Sequence, residues 1–483
     1  MTRKPAQAGR AQATLQLTTE PHLASGGDAV ARHPDGRVVF VSGAAPSERV
    51  EARLTKDNKS FVRAEVVKVL EPGPSRVNPP CAHYAQCGGC TLQHVAYGEQ
   101  VASKDVALRE APPRIGGLDL SETTFDAPWS GAPYGYRTRA RLVRALDGRL
   151  GFRARRSKHV VDIQRCPVLA PELQEVLTAL RPAMEMRGPM RREGRREDEI
   201  SLVFDGASVL ADFPEGLTKG ARTAARAAGV PLLFGNDAVT EGDDGHGPLV
   251  SSPQVFAQAS RSGNQALVGY VAELCPEGAA SAVDLYSGSG NFTRVLAKRA
   301  ARVDAFEGAR DAVALARRVA PENVRVHLSG VEQGFTSWVA EGGRAEVVLL
   351  DPPRTGTNAK VLKAIQAAEA SALIFVSCDP ATFARDAGIL AQGGLRLARV
   401  RTVRPVPADR AQRGGGPVCE VSKRSAGRAV AGGEGWDGSA GPGPQYERPR
   451  RDAAKFDALT RRLGGGERLQ DRRQPPGGDP TSS

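Results

Sequence analysis

Residues 283–293 read VDLYSGSGNFT. An apolar run ends at Asp284, and Gly288 and Gly290 follow before a helix, so a strand turns into a helix through a loop whose backbone can approach a ligand closely. By itself the glycine pattern is weak. Its value rises because the next strand-like segment, VDAFEG, ends at Glu307, 23 residues after Asp284, where a carboxylate accepts hydrogen bonds from ribose hydroxyls. A phosphate cradle is disfavoured: there is no GxxxxGK[ST], and Gly288-Ser289-Gly290 is too short for the longer dinucleotide fingerprint.

Working outward, EVVLLDPPRTG sets Asp351 at another strand end, where Pro352 and Pro353 remove two backbone donors and stiffen the turn. ALIFVSC is the next strand-like segment, and it delivers Cys378 to the same rim. The bland reading of that thiol is a small buried hydrophobe. On the rim it faces whatever Asp284, Glu307 and Asp351 bind. Alternating strand and helix segments from about residue 251 imply a parallel sheet with helices on both faces, an α/β, Rossmann-like domain over 251–425.

Upstream, short alternating runs such as GRVVFVSG and SFVRAEVVKVL, separated by turn residues, give 12–71 the pattern of a small β-barrel behind a flexible 1–11. A Pro-rich joint leads into a mixed α+β region over 72–250, whose charge run MRREGRREDEI from Met190 reads as a solvated loop. Residues 426–483 are Gly-, Pro- and Arg-rich and are expected to be disordered. The 66 Lys+Arg against 54 Asp+Glu in 483 residues point to a polyanionic partner, nucleic acid first. No signal peptide or membrane-length apolar run appears, so a soluble cytoplasmic protein is expected.

Seven cysteines, three of them in CAHYAQCGGC, favour metal binding or catalysis over a disulfide framework. Cys81, Cys87, Cys90 and the later Cys166 can hold an iron–sulfur cubane or a zinc ion, and spacing alone does not decide between them. With four thiols at hand, His83 and His94 read as surface or core histidines.

Taken together, DLYSGSGNF, DPPRTG and VSCDPATFARD, in this order, resemble the RNA uracil-carbon-5 methyltransferases that use S-adenosylmethionine, a likeness that spans roughly residues 12–403. Amino-group methyltransferases on the same sheet carry an aromatic where Arg354 stands, which favours carbon methylation. The resemblance implies that Cys378 is the nucleophile: a thiolate added to carbon 6 of uracil makes carbon 5 an enolate carbon able to attack the sulfonium methyl. It implies cofactor contacts at Gln258, Tyr286, Asn291, Glu307 and Asp351, and a target base flipped from folded RNA. Ala259-Ser260 after Gln258 is a mild departure from the family pattern.

The cysteine arrangement is similar to the [4Fe-4S] site of a subset of that family, and the fourth ligand, Cys166, speaks against radical cleavage of the cofactor. Residues 12–71 resemble the TRAM domain, an RNA-tracking barrel whose possible stacking rings are Phe40 and Phe61. YGYRTRARL and LGFRARRSK gather arginines with Tyr134, Tyr136 and Phe152, as an RNA-contacting sheet would. TRAM with four cysteines looks most like the group acting on 23S rRNA, expected as a monomer. A tRNA uridine methyltransferase and a non-catalytic RNA-binding protein with a retained cofactor fold are the alternatives.

The C-terminus departs most. The only match to the family's proton-abstracting carboxylate is Glu420 in PVCEVSK, reached through RPVPADRAQRGGG instead of a short defined loop. Either Glu420 is the base on a divergent last strand, or a reading-frame disruption near residue 404 has replaced the true end. The abrupt loss of fold-like text favours the second.

Overall fold

The computed structural model describes residues 14–185, 197–214, 217–235, 239–241, 244–404 and 417–423. The expected flexible start (1–11) and disordered tail (426–483) lie outside them. Among the described residues no helix is long and apolar enough to cross a membrane.

Strands β1 (Thr14–Leu23), β2 (Ala29–Arg32), β3 (Val38–Ser42), β4 (Arg49–Asp57) and β5 (Phe61–Glu71) close a barrel in the order β1-β2-β3-β5-β4. Alternate residues point inward, and Ala29, Ala31, Ala52 and Ala64 are all buried beside Val39, Val41, Val50 and Val62. Phe40 and Phe61 are not part of that core. Their rings meet edge to face at 5.8 Å on the barrel's half-exposed flank, with the Arg63 guanidinium over both.

Helix α1 (Tyr97–Gly116) and strand β6 (Thr124–Ser130) follow the joint. They fall in the stretch read as central, yet β6 pairs in parallel with a strand of the C-terminal sheet and extends it. Helix α1 packs on that domain too: a Cβ on Gly388 would stand 2.5 Å from the Gly116 carbonyl oxygen, an approach that two glycines permit. The exposed, proline-bearing text of TFDAPWS suits an edge strand, and its short alternation of Phe125, Ala127 and Trp129 was not read as one.

The central layer is a sheet of β7 (Arg139–Arg144), β8 (Leu150–Arg153), β9 (Val160–Asp162), β10 (Asp198–Phe204), β11 (Val209–Asp212) and β12 (Leu232–Phe234). Its order is β12-β11-β10-β7-β8-β9. Helix α2 (Pro171–Glu185) lays Leu173, Leu177 and Leu180 on Leu142, Ile200 and Leu202, and α3 (Thr218–Ala227) adds Ala221. The charge run from Met190 lies outside the described residues as far as 196, and its end, Asp198–Ile200, opens β10 instead of continuing a loop. A two-stranded pair, β13 (Val239–Glu241) and β14 (Leu249–Ser251), leads into α4 (Arg261–Leu274).

The C-terminal sheet is built from β15 (Ala282–Leu285), β16 (Val303–Glu307), β17 (Val324–Leu328), β18 (Val347–Leu350) and β19 (Ala372–Val376), all parallel. Between them run α5 (Thr293–Arg299), α6 (Arg310–Val319), α7 (Val331–Ala340) and α8 (Ala359–Ala367), and α9 (Pro380–Gln392) follows β19. Val283, Val348 and Leu373 enter the core on one face, while Ala282, Val347 and Ile374 enter that on the other. Both faces are therefore buried, as the alternation of segments requires.

Strands β20 (Leu395–Arg404) and β21 (Pro417–Lys423) complete the order β17-β16-β15-β18-β19-β21-β20-β6. The fold therefore does not stop near residue 404. β21 runs antiparallel between β19 and β20, with Val376↔Val418, Ile374↔Glu420 and Arg399↔Glu420 in register. Of the two readings of this end, the pairing supports the one that puts Glu420 on a divergent last strand. Two open ladders on either side make a strand of text too short and polar to show as one.

Candidate active site

Strand order reverses between β15 and β18, and in open α/β sheets the crevice outside the carboxyl ends of the strands at such a point takes ligands. Here it is a cavity of about 580 Å³. Four adjacent strands feed it: Glu307 from the end of β16, Tyr286 and Gly288 beyond β15, Asp351 beyond β18 and Cys378 beyond β19. Gln258, from the segment ahead of α4, lines the same cavity, and its buried Oε1 has no protein partner.

The glycine loop is held from three sides. Gly288 N–H donates to Glu307 Oε2 at 2.9 Å, while Glu307 Oε1 accepts the Ala309 N–H at 2.7 Å. Asn291 and Asn264 exchange amide hydrogen bonds at 2.8 and 2.9 Å, so the Asn291 side chain faces α4 and does not line the cavity. Tyr286 holds φ at 64°, a backbone conformation that non-glycine residues rarely adopt and that marks a loop over-determined by its surroundings. Behind it Asp284 is 1% exposed. Its Oδ2 accepts the Thr293 hydroxyl at 2.6 Å, and its Oδ1 is buried without a partner.

Burial above all, with the charges of Asp351 and Glu307 added, pushes the Asp284 carboxyl up to about 7. Loss of water does the same to the half-buried Asp351, also pushed up to about 7. A cavity with strained acids and orphaned acceptors in and behind its wall suits a polar ligand that carries positive charge.

Cys378 sits one residue ahead of the helix cap. Asp379 caps α9 by accepting the Ala381 and Thr382 N–H groups at 3.0 and 2.9 Å, and Pro380 occupies the first turn. A helix start favours a thiolate. Burial and the negative Asp351 and Asp379 nevertheless outweigh that and the opposing Arg354, and the thiol is raised above its ordinary value.

Sequence reasoning missed Asp386, which ends the same helix text, ATFARD. It is fully buried, accepts the Thr357 N–H at 2.7 Å and pairs with Arg385, which clamps the DPPRTG turn to α9. Gly356 makes the clamp possible: its φ is 77°, and a Cβ there would lie 2.6 Å from the Asp386 carboxylate. Only the spacing Gly356 to Asp386 is in the sequence, and nothing in it signals the contact.

Glu420 is not at the rim. In register it is level with Ile374, four residues before Cys378, or about 13 Å along the strand.

The four cysteines form a separate neighbourhood. Cys90 and Cys166 pack in one apolar cluster with Tyr84, Tyr136 and Val168. Cys81 acts electrostatically on both Cys87 and Cys166, whose thiols burial holds above their ordinary value. Gly88 N–H bonds to the Arg153 carbonyl at 2.9 Å, which sews the loop to β8. Four thiols in one neighbourhood are the right donor type for a soft metal or an iron–sulfur cluster. Yet among the described residues no three Cys, His, Asp or Glu stand in metal-holding geometry, so as they lie the thiols do not close a cage. His94 is buried, bonded to the Ala44 carbonyl and the Tyr84 hydroxyl, and is a core histidine.

A groove of about 410 Å³ on the central sheet adjoins the cavity through Gln254, Val255 and Phe256 and carries Arg137, Arg139 and Arg141. Not all of the expected RNA-facing residues face outward. Tyr136 is 6% exposed among the cysteines, and Arg139 donates to the Ser252 and Val255 carbonyls at 2.6 and 2.8 Å, fastening the segment that leads to Gln258. Tyr134 is exposed, and so is Phe256, at the junction of cavity and groove.

Comparison with known proteins bears on these sites. Residues 17–67 match the model of the TRAM domain, over the barrel. The 23S rRNA (uracil(1939)-C(5))-methyltransferase RlmD of Pectobacterium atrosepticum is 36% identical over 400 residues, 77% of this chain and 87% of that protein. The protein of the same name from Shewanella piezotolerans is 33% identical over 426 residues, 82% and 92% of the two chains. Among solved structures, the Pyrococcus abyssi tRNA (uracil-54, C5)-methyltransferase, in complex with S-adenosyl-L-homocysteine, superposes with a TM-score of 0.63 at 23% identity. It covers 84% of this chain and 99% of its own and speaks for the fold. Identity at this level across more than three quarters of its length makes the chain a member of the 23S rRNA uracil-C5 methyltransferase family.

Proposed function

We propose that this protein transfers a methyl group from S-adenosylmethionine to carbon 5 of a uridine in 23S rRNA, acting as a soluble cytoplasmic monomer. The observation that carries the proposal is one cavity lined by Cys378, Asp351, Glu307 and Gln258 and opening beside an arginine-bearing groove. S-adenosylmethionine, when bound, supplies an electrophilic methyl group. Glu307 is suited to a ribose, Asp351 and Gln258 to its polar end, and Tyr286 and the Asn291-braced loop to its adenosine side.

The chain's own residues do the rest. Arg137 and Arg141 hold the RNA backbone, and Phe256 offers a ring to a base turned out of its stack. The Cys378 thiol gives up its proton to the Asp351 carboxylate in the same cavity, and its sulfur bonds to carbon 6. After methylation Glu420 takes the carbon 5 proton and the thiolate leaves. That role needs the carboxylate at the rim, hence an advance of β21 by four residues along β19, an even slip that keeps every side chain on its own face.

Cys81, Cys87, Cys90 and Cys166 are proposed to hold a [4Fe-4S] cluster that pins the central layer. Anaerobically purified protein is then brown with about four irons per chain. Stoichiometric zinc without iron counts against it. The methyltransferase reading is tested with RNA carrying 5-fluorouridine, in which the fluorine cannot leave as a proton. Wild-type protein forms a stable covalent adduct, and Cys378→Ala binds S-adenosylmethionine but forms neither adduct nor product. Near-normal turnover by that variant refutes the assignment, and methylation of tRNA instead of rRNA moves it to the other substrate.

A further inference from the structure

Behind the glycine loop lies a contact that none of the motifs accounts for. Arg294, in the first turn of α5, is 6% exposed. Its guanidinium meets the Asp244 carboxylate with two bonds, Nη1 to Oδ1 at 2.5 Å and Nη2 to Oδ2 at 2.7 Å. The same side chain donates to the Gly247 carbonyl at 2.8 Å and, through Nε, to the Asn291 carbonyl at 3.2 Å. One turn along α5, Lys298 donates to the Gly245 carbonyl. Residues 244–247 stand just ahead of β14 and the segment carrying Gln258, so one arginine joins both walls of the cavity from behind.

The geometry restricts what this contact does. A two-bonded Arg–carboxylate pair fixes direction as well as distance, which a single lysine contact does not. The loop's tether on the cavity side, the Gly288 N–H to Glu307 bond, uses the carboxylate that a ribose would also engage. When Glu307 turns to a ligand, the Asn264 amide and Arg294 still hold the Asn291 end of the loop.

We infer that Arg294, locked by Asp244, is a positioning residue for the cofactor: it sets the pose of the 286–291 loop and its distance from Gln258. The inference rests on reading the cavity as the S-adenosylmethionine site. A pair that merely fastened two elements would lower stability when cut and leave the ligand affinity of the folded protein unchanged.

The test compares wild type, Asp244→Asn, Arg294→Met and the double variant. Hydrogen exchange of peptides spanning 285–292 is read without ligand, the Kd of S-adenosylmethionine by calorimetry, and KM for it separately from kcat. Cutting the pair speeds exchange in that peptide and raises Kd and KM about tenfold, while kcat at saturation stays within about twofold. The double variant is no worse than either single one. Should Arg294→Met not fold, Asp244→Asn, which keeps shape and an acceptor oxygen, decides alone. Folded variants with wild-type Kd and loop exchange but a lower Tm overturn the inference and leave the function intact. A wild-type protein that does not bind S-adenosylmethionine overturns both.

Discussion

The two carboxyls pushed up to about 7 make cofactor binding a proton-linked event. In the empty pocket Asp284 and Asp351 keep their protons well above the point, about pH 4, where an exposed aspartate loses one. Between about pH 4 and 7 the folded protein thus binds more protons than the unfolded chain, and its stability falls as pH rises through that window. For Asp284, 1% exposed, the interval from 3.8 to about 7 corresponds to about 4 kcal/mol of resistance to ionisation, an upper figure because its charge is coupled to Asp351.

A ligand bearing sulfonium and ammonium charges favours the ionised carboxylates and expels the protons on binding. Affinity then rises with pH by up to about tenfold per unit for each carboxyl restored and levels off above about 7. Titration calorimetry between about pH 5.5 and 8, in buffers of different ionisation enthalpy, counts the protons directly. One to two are expected near pH 6 and almost none at pH 8. Asp284→Asn removes one of them, weakens binding, and makes the empty protein more stable than wild type above pH 7, since a buried charge is gone. A Kd level across the range with no proton release refutes the reasoning.

The raised Cys378 thiol makes adduct formation with 5-fluorouridine RNA keep accelerating with pH beyond the range where an ordinary thiol has ionised, and Arg354→Met, by removing an opposing positive charge, slows it about threefold to tenfold at pH 8. Mass spectrometry of the adduct over time reads both, and a rate unaffected by pH or by the variant contradicts them. Gly356→Ala forces a side chain into a φ of 77° and against Asp386, and is expected to cost at least about 2 kcal/mol in urea unfolding. An unchanged midpoint removes the clamp from the account. Glu420→Gln accumulates the methylated protein–RNA adduct with S-adenosylmethionine affinity unchanged; normal turnover transfers the base role to Asp351.

What the sequence discloses follows from how local each constraint is. Strand ends bearing Glu307, Asp351 and Cys378 were legible because each is written beside its own apolar run, and the parallel order brings these ends to one rim, whereas Asp284, expected there too, is buried behind it. The barrel was legible for the same reason, in its alternation. Contacts between distant segments were not. Asp244 with Arg294 and Thr357 with Asp386 join residues 50 and 29 positions apart, and charged residues at such spacings are common on solvated faces.

The hardest part was the sheet's completion, where β6 and β21 are strands only because neighbours offer them open ladders. Both are short and carry a proline, and in β21 the text follows three glycines, so local pattern argued for the end of the fold where tertiary pairing continues it. That same weakness of local specification suits the chemistry proposed for Glu420. A strand held mainly by its two neighbours can change register at lower cost than one whose own apolar face locks it. The register shift proposed for Glu420 therefore asks least of the segment whose own text specifies its place least.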